Sequence, residues 1–334
     1  MSVSSAFEEF RKALEIDPTT IDDAIDLHET ARKGLEKRLE GHQRSFLSGS
    51  YPRNTRLEPL DDIDIVVVVE STDPWDDDPE KAMEAAGEAV RPDFAGCTIR
   101  LGAHAAKVKP KDPPIPGVHL DIVVARETGD GTLLEISERE PESNWKKSDP
   151  EAHATALSKA NDAWKKRLVP AIKQVKHWNR KTAGDPLPSF LIEALALRIF
   201  TGSGDLSASE MAQKCFNEAK DAICTPTTSP AVPDGYVDGD MTDAERDGHS
   251  KRLAKASGTA DDATAAEAAD DESGAQEIWC GLFGDPFPKP DKDERKAKIA
   301  DAIRAGTAGV GGGTILGGAG RQVVPGRSYG GEER

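Results

Sequence analysis

Between Ile21 and Leu39 the apolar positions return at three- and four-residue steps: Ile21, Ala24, Leu27, Ala31, Leu35 and Leu39. Residues so spaced share one face, which predicts a packing helix from about Thr20 to Glu40, opened after Pro18 and stopped by Gly41. The period then shortens. Ser45-Phe46-Leu47 is a short apolar run, broken by Gly49-Ser50-Tyr51-Pro52-Arg53. Ile63 to Val69 is nearly continuous β-branched sequence, the mark of a strand covered on both faces. An acidic loop over 71–80 and a helix near Lys81 to Val90 come next. Cys97 to Leu101, Ala105 to Lys109 and Val118 to Val124 read as strands, the last set off by the turn residues of Pro110 to Pro116.

From about His153 to Phe200 the pattern is helical. Leu168, Ala171, Ile172, Val175 and Trp178 share a face, and Ser189 to Phe200 forms a second apolar helix after Pro186 and Pro188. The stretch 225–275 is poor in large apolar residues and reads either as a loop or as two surface helices, Met241 to Ser257 and Asp261 to Gly281. Lys289 to Ala305 reads as a short charged helix, and the glycines crowding after Gly306 predict a flexible tail. No internal repeat is present. Strands early and helices late predict an α+β lobe followed by a helical lobe.

The 334 residues suffice for two such lobes and a substantial core. Charge narrows the function: 43 basic residues stand against 60 acidic ones, a formal net of −17, so bulk positive charge cannot coat a long nucleic acid. A local basic pocket stays compatible with that balance, and Lys173, Lys176, His177, Arg180 and Lys181 supply one on a helix. No run approaches the roughly 18 apolar residues of a membrane span. The first ten residues lack a basic start and apolar block, so no secretory signal is expected. Cys97, Cys215, Cys224 and Cys280 show neither C-x-x-C spacing nor a histidine cluster. A reducing cytoplasm is therefore expected, without a disulfide framework or structural zinc.

Chemistry gathers in Gly49-Ser50 and in Asp61-Asp62-Ile63-Asp64-Ile65. Strand side chains alternate, so Asp62 and Asp64 point one way and Ile63, Ile65 and Val67 the other. Two carboxylates beginning an apolar strand repel each other; a divalent cation with hard oxygen ligands relieves this, and exposure to solvent is the plain alternative. Asp121 is a lone carboxylate on the apolar run Val118 to Val124, and a buried Asp needs a partner. Neighbouring strands would bring all three to one point. Gly49 lets backbone N–H groups approach a phosphate, and Ser50 adds a donor, although Gly-Ser alone is usually a turn.

Gly-Ser, then D-x-D on a strand, then an Asp on a later strand, resembles the nucleotidyltransferase fold of the DNA polymerase β superfamily. The fuller pattern resembles the bacterial cGAS/DncV-like nucleotidyltransferases of antiphage (CBASS) systems, over about Gln43 to Phe287. It rests on Phe46-Leu47-Ser48-Gly49-Ser50-Tyr51 with Thr55, Pro59-Leu60-Asp61-Asp62-Ile63-Asp64, and Asn144-Trp145 with Asp149-Pro150 and His153. Lys176-His177-Trp178-Asn179-Arg180, Ser189-Phe190-Leu191-Ile192-Glu193, Trp279 to Gly284 and Phe287-Pro288 complete it.

The resemblance implies a two-lobed α+β polymerase β-like fold, with a mixed-sheet catalytic lobe and N-terminal helix over 1–165, a helical lobe over 166–305 and a tail over 306–334. It implies two Mg²⁺ ions, replaceable by Mn²⁺, on Asp62, Asp64 and Asp121, with Asp121 receiving the proton of the attacking ribose hydroxyl. Gly49 and Ser50 would hold the β- and γ-phosphates. Lys176 would reach the triphosphate from the helical lobe, and Ser189 would touch phosphate. Phe190 stands where many relatives have tyrosine; stacking on a base and core packing are equally open to it. The implied substrates are ATP and other NTPs, and the implied product a cyclic di- or trinucleotide messenger that acts on an effector. A regulatory or conjugating partner protein is a further implication, whereas for the tail itself a linker is the preferred reading. Transfer to tRNA or protein and an inactive nucleotide-binding module are the alternatives; the acidic surface opposes a large RNA, and the three intact carboxylates oppose inactivity. Lys173, Lys181, Arg53 and Arg56 are expected in solvent, Trp145, Trp178 and Trp279 in packing, His153 in a structural role, and Glu193 paired with a helical-lobe cation.

Overall fold

The computed structural model describes residues 1–70, 78–128, 133–139, 144–182, 186–232, 235–291, 300 and 304. Most of the acidic loop, most of the charged helix expected after Lys289, and the whole glycine-rich tail lie outside them.

Two helices open the chain, α1 (Val3–Ala13) and α2 (Pro18–Arg38). Ser2 and Asp17 cap them, each accepting from a backbone N–H of the first turn that has no partner within the helix. Strands β1 (His42–Leu47) and β2 (Asp62–Val69) follow, then α3 (Pro79–Val90). Strands β3 (Thr98–Leu101), β4 (Ala106–Lys109), β5 (His119–Glu127), β6 (Leu134–Glu138) and β7 (Asn144–Ser148) complete one sheet. Its order is β1-β2-β5-β4-β3, with β6 added to β5 and β7 to β6. Only the β2–β5 pairing is parallel, which makes the sheet mixed as expected.

The sheet has two unlike faces. Ile63, Ile65, Val67, Leu120, Ile122 and Val124 pack against Leu27, Ala31 and Leu35 of α2 and Met83 and Ala86 of α3. The other face carries a small cluster of Val66, Val68, Ala125 and Leu134. Strand alternation puts Asp62 and Asp64 on this second face, next to Val66 and Val68. The two carboxylates thus stand where the helices do not cover the sheet.

The helical part consists of α4 (Pro150–Ala163), α5 (Leu168–Lys181), α6 (Ser189–Ile199), α7 (Ala208–Ala222), α8 (Asp243–Ala268) and α9 (Glu272–Phe283). Its core gathers Ile172, Trp178, Leu195, Phe216, Trp279, Phe283 and Phe287. Phe7 and Phe10 of α1 join it, Phe7 meeting Trp279 edge to face at 5.1 Å, and α4 adds Leu157. Helices α1 and α4 thus precede residue 166 yet bury their apolar faces with the helical lobe, so packing and chain order divide the molecule differently. Of the stretch read as a loop or two surface helices, the described residues of 225–242 are not helical, α8 runs unbroken through Gly258, and the second helix, α9, starts only at Glu272. Leu253, Ala256, Ala260 and Ala263 of α8 are buried, so alanines replace larger residues where α8 approaches α7 and α9. Among the described residues no helix is long and apolar enough to cross a membrane, and the four cysteines are free.

Candidate active site

Parallel pairing of β2 and β5 sets Asp64 opposite Asp121 and Asp62 opposite His119. Three carboxylates from two strands thereby meet on one face, and each feels the others. Burial and then Asp121 raise the Asp62 pKa, and burial followed by Asp62 and Asp121 pushes Asp64 up to about 7. Asp121 is the best compensated. Lys107, its cross-strand neighbour on β4, donates from Nζ to Oδ2 at 3.0 Å, and His119 Nε2 lies 3.3 Å from Oδ1.

The β1–β2 connection turns at Gly49, and this position admits only glycine. Its φ is +66°, and a Cβ there would stand 1.6 Å from Asp64 Oδ2. Ser48 N–H donates to the Asp64 carbonyl at 2.9 Å, fixing the turn against the carboxylate strand. Above the turn opens a cavity of about 830 Å³, within the range of small-molecule sites. Gly49, Ser50, Asp62 and Asp64 line one side, and Lys176, Ser189, Phe190 and Glu193 another. Asp121 stands beside Asp64 without lining the cavity.

Several expectations about cations are overturned at the back of this cavity. Arg53, expected in solvent, is buried, and its Nε donates to Glu193 Oε2 at 2.5 Å. Lys176 donates from Nζ to Glu193 Oε1 at 2.6 Å and to Thr55 Oγ1 at 3.1 Å, so in this structure its charge is spent on Glu193. Thr55 Oγ1 in turn donates to Glu193 Oε1 at 2.6 Å. Glu193 does pair with a helical-lobe cation, and with a loop arginine besides. Burial pushes its pKa up, but Lys176 and Arg53 outweigh this and hold it low. Lys173, also expected in solvent, is 2 % exposed and bonds Glu15 at 2.7 Å. Arg56 is partly buried over the Tyr51 ring, whereas Lys181 is exposed as expected and bonds the Asp285 carbonyl. Ser189 is exposed on the cavity wall; Phe190 is half-buried, its ring 4.5 Å from that of His153. Trp178 and Trp279 are core residues, and Trp145 lies under the Arg126 guanidinium.

His153 is fully buried 3.3 Å from Glu193 Oε2, and burial together with Arg53 pushes its pKa down to about 4. The folded ring is neutral at a pH where the unfolded chain's ring charges. Its stabilising contribution is therefore complete above about pH 6.5 and is lost as pH falls towards 4. Urea midpoints of wild type and His153→Gln, compared from pH 7 to 4, should converge on acidification; a constant difference would contradict a neutral buried ring.

Sequence reading missed Lys107 and His119 as partners of Asp121. Alternation on β4 and β5 offered both, but only strand register shows which cation meets which carboxylate.

Two lobes around a cavity, with carboxylates on adjacent parallel strands beside a glycine turn, match the fold of the polymerase β-type nucleotidyltransferases. Comparison with known proteins finds the same likeness. Residues 1–161 match the model of the Second Messenger Oligonucleotide or Dinucleotide Synthetase domain. A cyclic AMP-AMP-AMP synthase from an Acinetobacter species is 28% identical over 211 residues, covering 59% of each chain. The match thus spans less than two thirds of that relative. CdnC of E. coli MS115-1, solved with ATP, superposes with a TM-score of 0.70 at 18% identity, covering 86% of this chain and 99% of that one. The same protein in complex with HORMA-deltaN gives 0.67 at 18% identity, with 85% and 96% coverage. The CD-NTase CdnG of Bradyrhizobium diazoefficiens, solved with GTP, gives 0.63 at 16% identity, with 84% and 95% coverage. The chain is thus similar to the cGAS/DncV-like nucleotidyltransferases: residues 1–161 match their synthetase domain, and the superpositions show the same fold.

The CD-NTases that the chain resembles are metal-dependent, and the residues present bear on the fit. Among the described residues no three His, Cys, Asp or Glu side chains are drawn to the spacing of a metal site. Asp121 leans on Lys107 and His119 instead. The donor set nevertheless suits a hard divalent cation: the carboxylates are partly buried, burial and the neighbouring carboxylates raise the pKa values of Asp62 and Asp64, and Asp121 Oδ1 is left without a hydrogen bond. Mg²⁺ commonly takes one or two carboxylates and completes its shell with water and substrate phosphate, so a closed protein cage is not required.

Proposed function

We propose that the protein joins nucleoside triphosphates, ATP among them, into a cyclic di- or trinucleotide that serves as a messenger in antiphage defence. The observation that carries this reading is the in-register placement of Asp64 and Asp121, with Asp62 two residues along, beside the Gly49 turn. The names of its relatives support the product class: one makes cyclic AMP-AMP-AMP, and others were solved with ATP or GTP.

In this reading Asp62, Asp64 and Asp121 hold two Mg²⁺ ions, for which Mn²⁺ can substitute. When bound, such ions neutralise triphosphate charge and acidify the acceptor hydroxyl. The chain's own residues do the rest. Backbone N–H groups at Gly49 and Ser50 approach the β- and γ-phosphates, which a larger residue at 49 would prevent. Asp121, whose Oδ1 accepts no hydrogen bond, receives the proton of the attacking ribose hydroxyl. Lys176 and Arg53 share the single carboxylate of Glu193, which leaves one net positive charge for the triphosphate, and Ser189 adds a donor from the cavity wall. Catalysis then consists chiefly of positioning and charge neutralisation. A HORMA-type regulatory protein is the partner class suggested by the CdnC complex.

The test is incubation of the purified protein with four α-labelled NTPs and Mg²⁺ or Mn²⁺, followed by phosphatase and mass spectrometry. A phosphatase-resistant small cyclic product is expected. Label appearing instead on added tRNA or on protein would replace this reading with nucleotidyl transfer to a macromolecule.

A further inference from the structure

One wall of the cavity comes from the segment between α7 and α8. Ser229, Ala231, Val232, Gly235, Tyr236 and Val237 line it. Tyr236 is 58% exposed, and among the described residues only Met1 is another exposed large hydrophobic. An aromatic ring left in solvent inside a cavity wall contributes little to folding, so its position calls for another account.

The arms that present this ring are pinned. Thr228 and Tyr236 form an antiparallel bridge, Ser229 N–H donates to the Gly235 carbonyl at 2.7 Å, and Val237 N–H to the Thr227 carbonyl at 3.0 Å. Asp238 then anchors the second arm. Its Oδ1 accepts from Thr227 N–H at 2.7 Å, its Oδ2 from Arg246 Nη1 at 2.6 Å, and its carbonyl from Arg246 Nη2 at 2.6 Å. Both Asp238 and Arg246 are buried, and Arg246 Nη1 also bonds the Ile223 carbonyl at 3.1 Å. A buried bidentate clamp from α8 thus holds an exposed ring at the cavity edge. The clamp fixes the backbone that carries the ring, so little main-chain freedom remains to be lost when a flat partner settles on it.

We propose that Tyr236 is the stacking platform for a nucleobase in this cavity, which Phe190 also lines. The inference rests on the nucleotide-joining reading and deepens it. Joining two nucleotides requires two bases in one cavity, and the structure offers two aromatic faces lining it. Stacking is indifferent to the hydroxyl, since every base presents a π-face to the ring. Tyr236 therefore acts on base binding, while triphosphate binding is left to the Gly49 turn and the cations.

The experiment is calorimetric titration of ATP, GTP, CTP, UTP and inorganic tripolyphosphate into wild type, Tyr236→Phe and Tyr236→Ala, with steady-state KM values alongside. Tyr236→Ala should weaken binding of at least one NTP by about tenfold, matching the loss of one base–aromatic stack. Tyr236→Phe should bind as wild type does, and tripolyphosphate should bind all three proteins alike. Because the ring is exposed, melting curves of the three should coincide. Unchanged NTP affinities in Tyr236→Ala, or an equal loss of tripolyphosphate binding, would overturn the proposal while leaving the proposed reaction standing. Wild type that binds NTPs but forms no product sinks the reaction instead, and the stacking result is still read from the same affinities. Wild type that binds no NTP overturns both.

Discussion

Asp64→Asn is expected to lower product formation by on the order of 10³-fold or more, and to make the metal-free protein more stable at neutral pH. Both effects have one cause. Asp64 is the carboxylate most strained by its surroundings, buried and flanked by Asp62 and Asp121, with its pKa pushed up to about 7. The folded state therefore keeps the proton where the unfolded chain has already released it, from about pH 3.8 upwards. The sign follows: the wild type, without metal, loses stability as pH rises through this window towards 7, and the amide variant does not. In the proposed reaction the site requires the charge that folding disfavours. Pyrophosphate release and urea unfolding at pH 7.5, measured on wild type and variant in chelator and in Mg²⁺, check the pair. Retained turnover, or a variant less stable than wild type in chelator, contradicts this account of Asp64.

Glu193→Ala is expected to lower stability by about 3–5 kcal/mol, the usual cost of removing one partner from a buried ion pair. Its carboxylate is 0 % exposed and takes hydrogen bonds from Arg53, Thr55 and Lys176. Truncation leaves two buried cations with no anion, and burial already depresses the Lys176 pKa. Glu193→Gln keeps an acceptor in place and should lose less. Because Arg53 and Thr55 come from the β1–β2 loop and Lys176 and Glu193 from α5 and α6, the network also ties the loop that holds the Gly49 turn to the helical lobe. Urea unfolding of the three proteins reads this directly. A Glu193→Ala protein within about 1 kcal/mol of wild type would show that the cations find water or another anion.

Much of this molecule was legible before any coordinates. Helix α2 and strands β2 and β5 show undisturbed periodicity because each buries a full face, and strand alternation put Asp62 and Asp64 together. What stayed hidden depends on partners that only the fold supplies. Strand β7 (Asn144–Ser148) is an edge strand of mostly exposed polar residues, which gives no alternation to read. Helix α8 packs through alanines, which look like surface in sequence and become core only against α7 and α9. Arg53 and Lys173 carry no local mark of burial; Glu193 and Glu15, distant in sequence, decide it. Tyr236 stands in a segment without periodicity, and its exposure has meaning only once the cavity beside it is known.

The central claim is that Asp62, Asp64 and Asp121 act as one cation-binding unit beside a bound triphosphate. Counting Mn²⁺ bound per chain, in the presence of a non-hydrolysable ATP analogue, by electron paramagnetic resonance tests it most directly. The account predicts two ions in the wild type and fewer in Asp121→Asn, with the protein still folded. Equal occupancy in both, or no nucleotide-dependent Mn²⁺ at all, would contradict it.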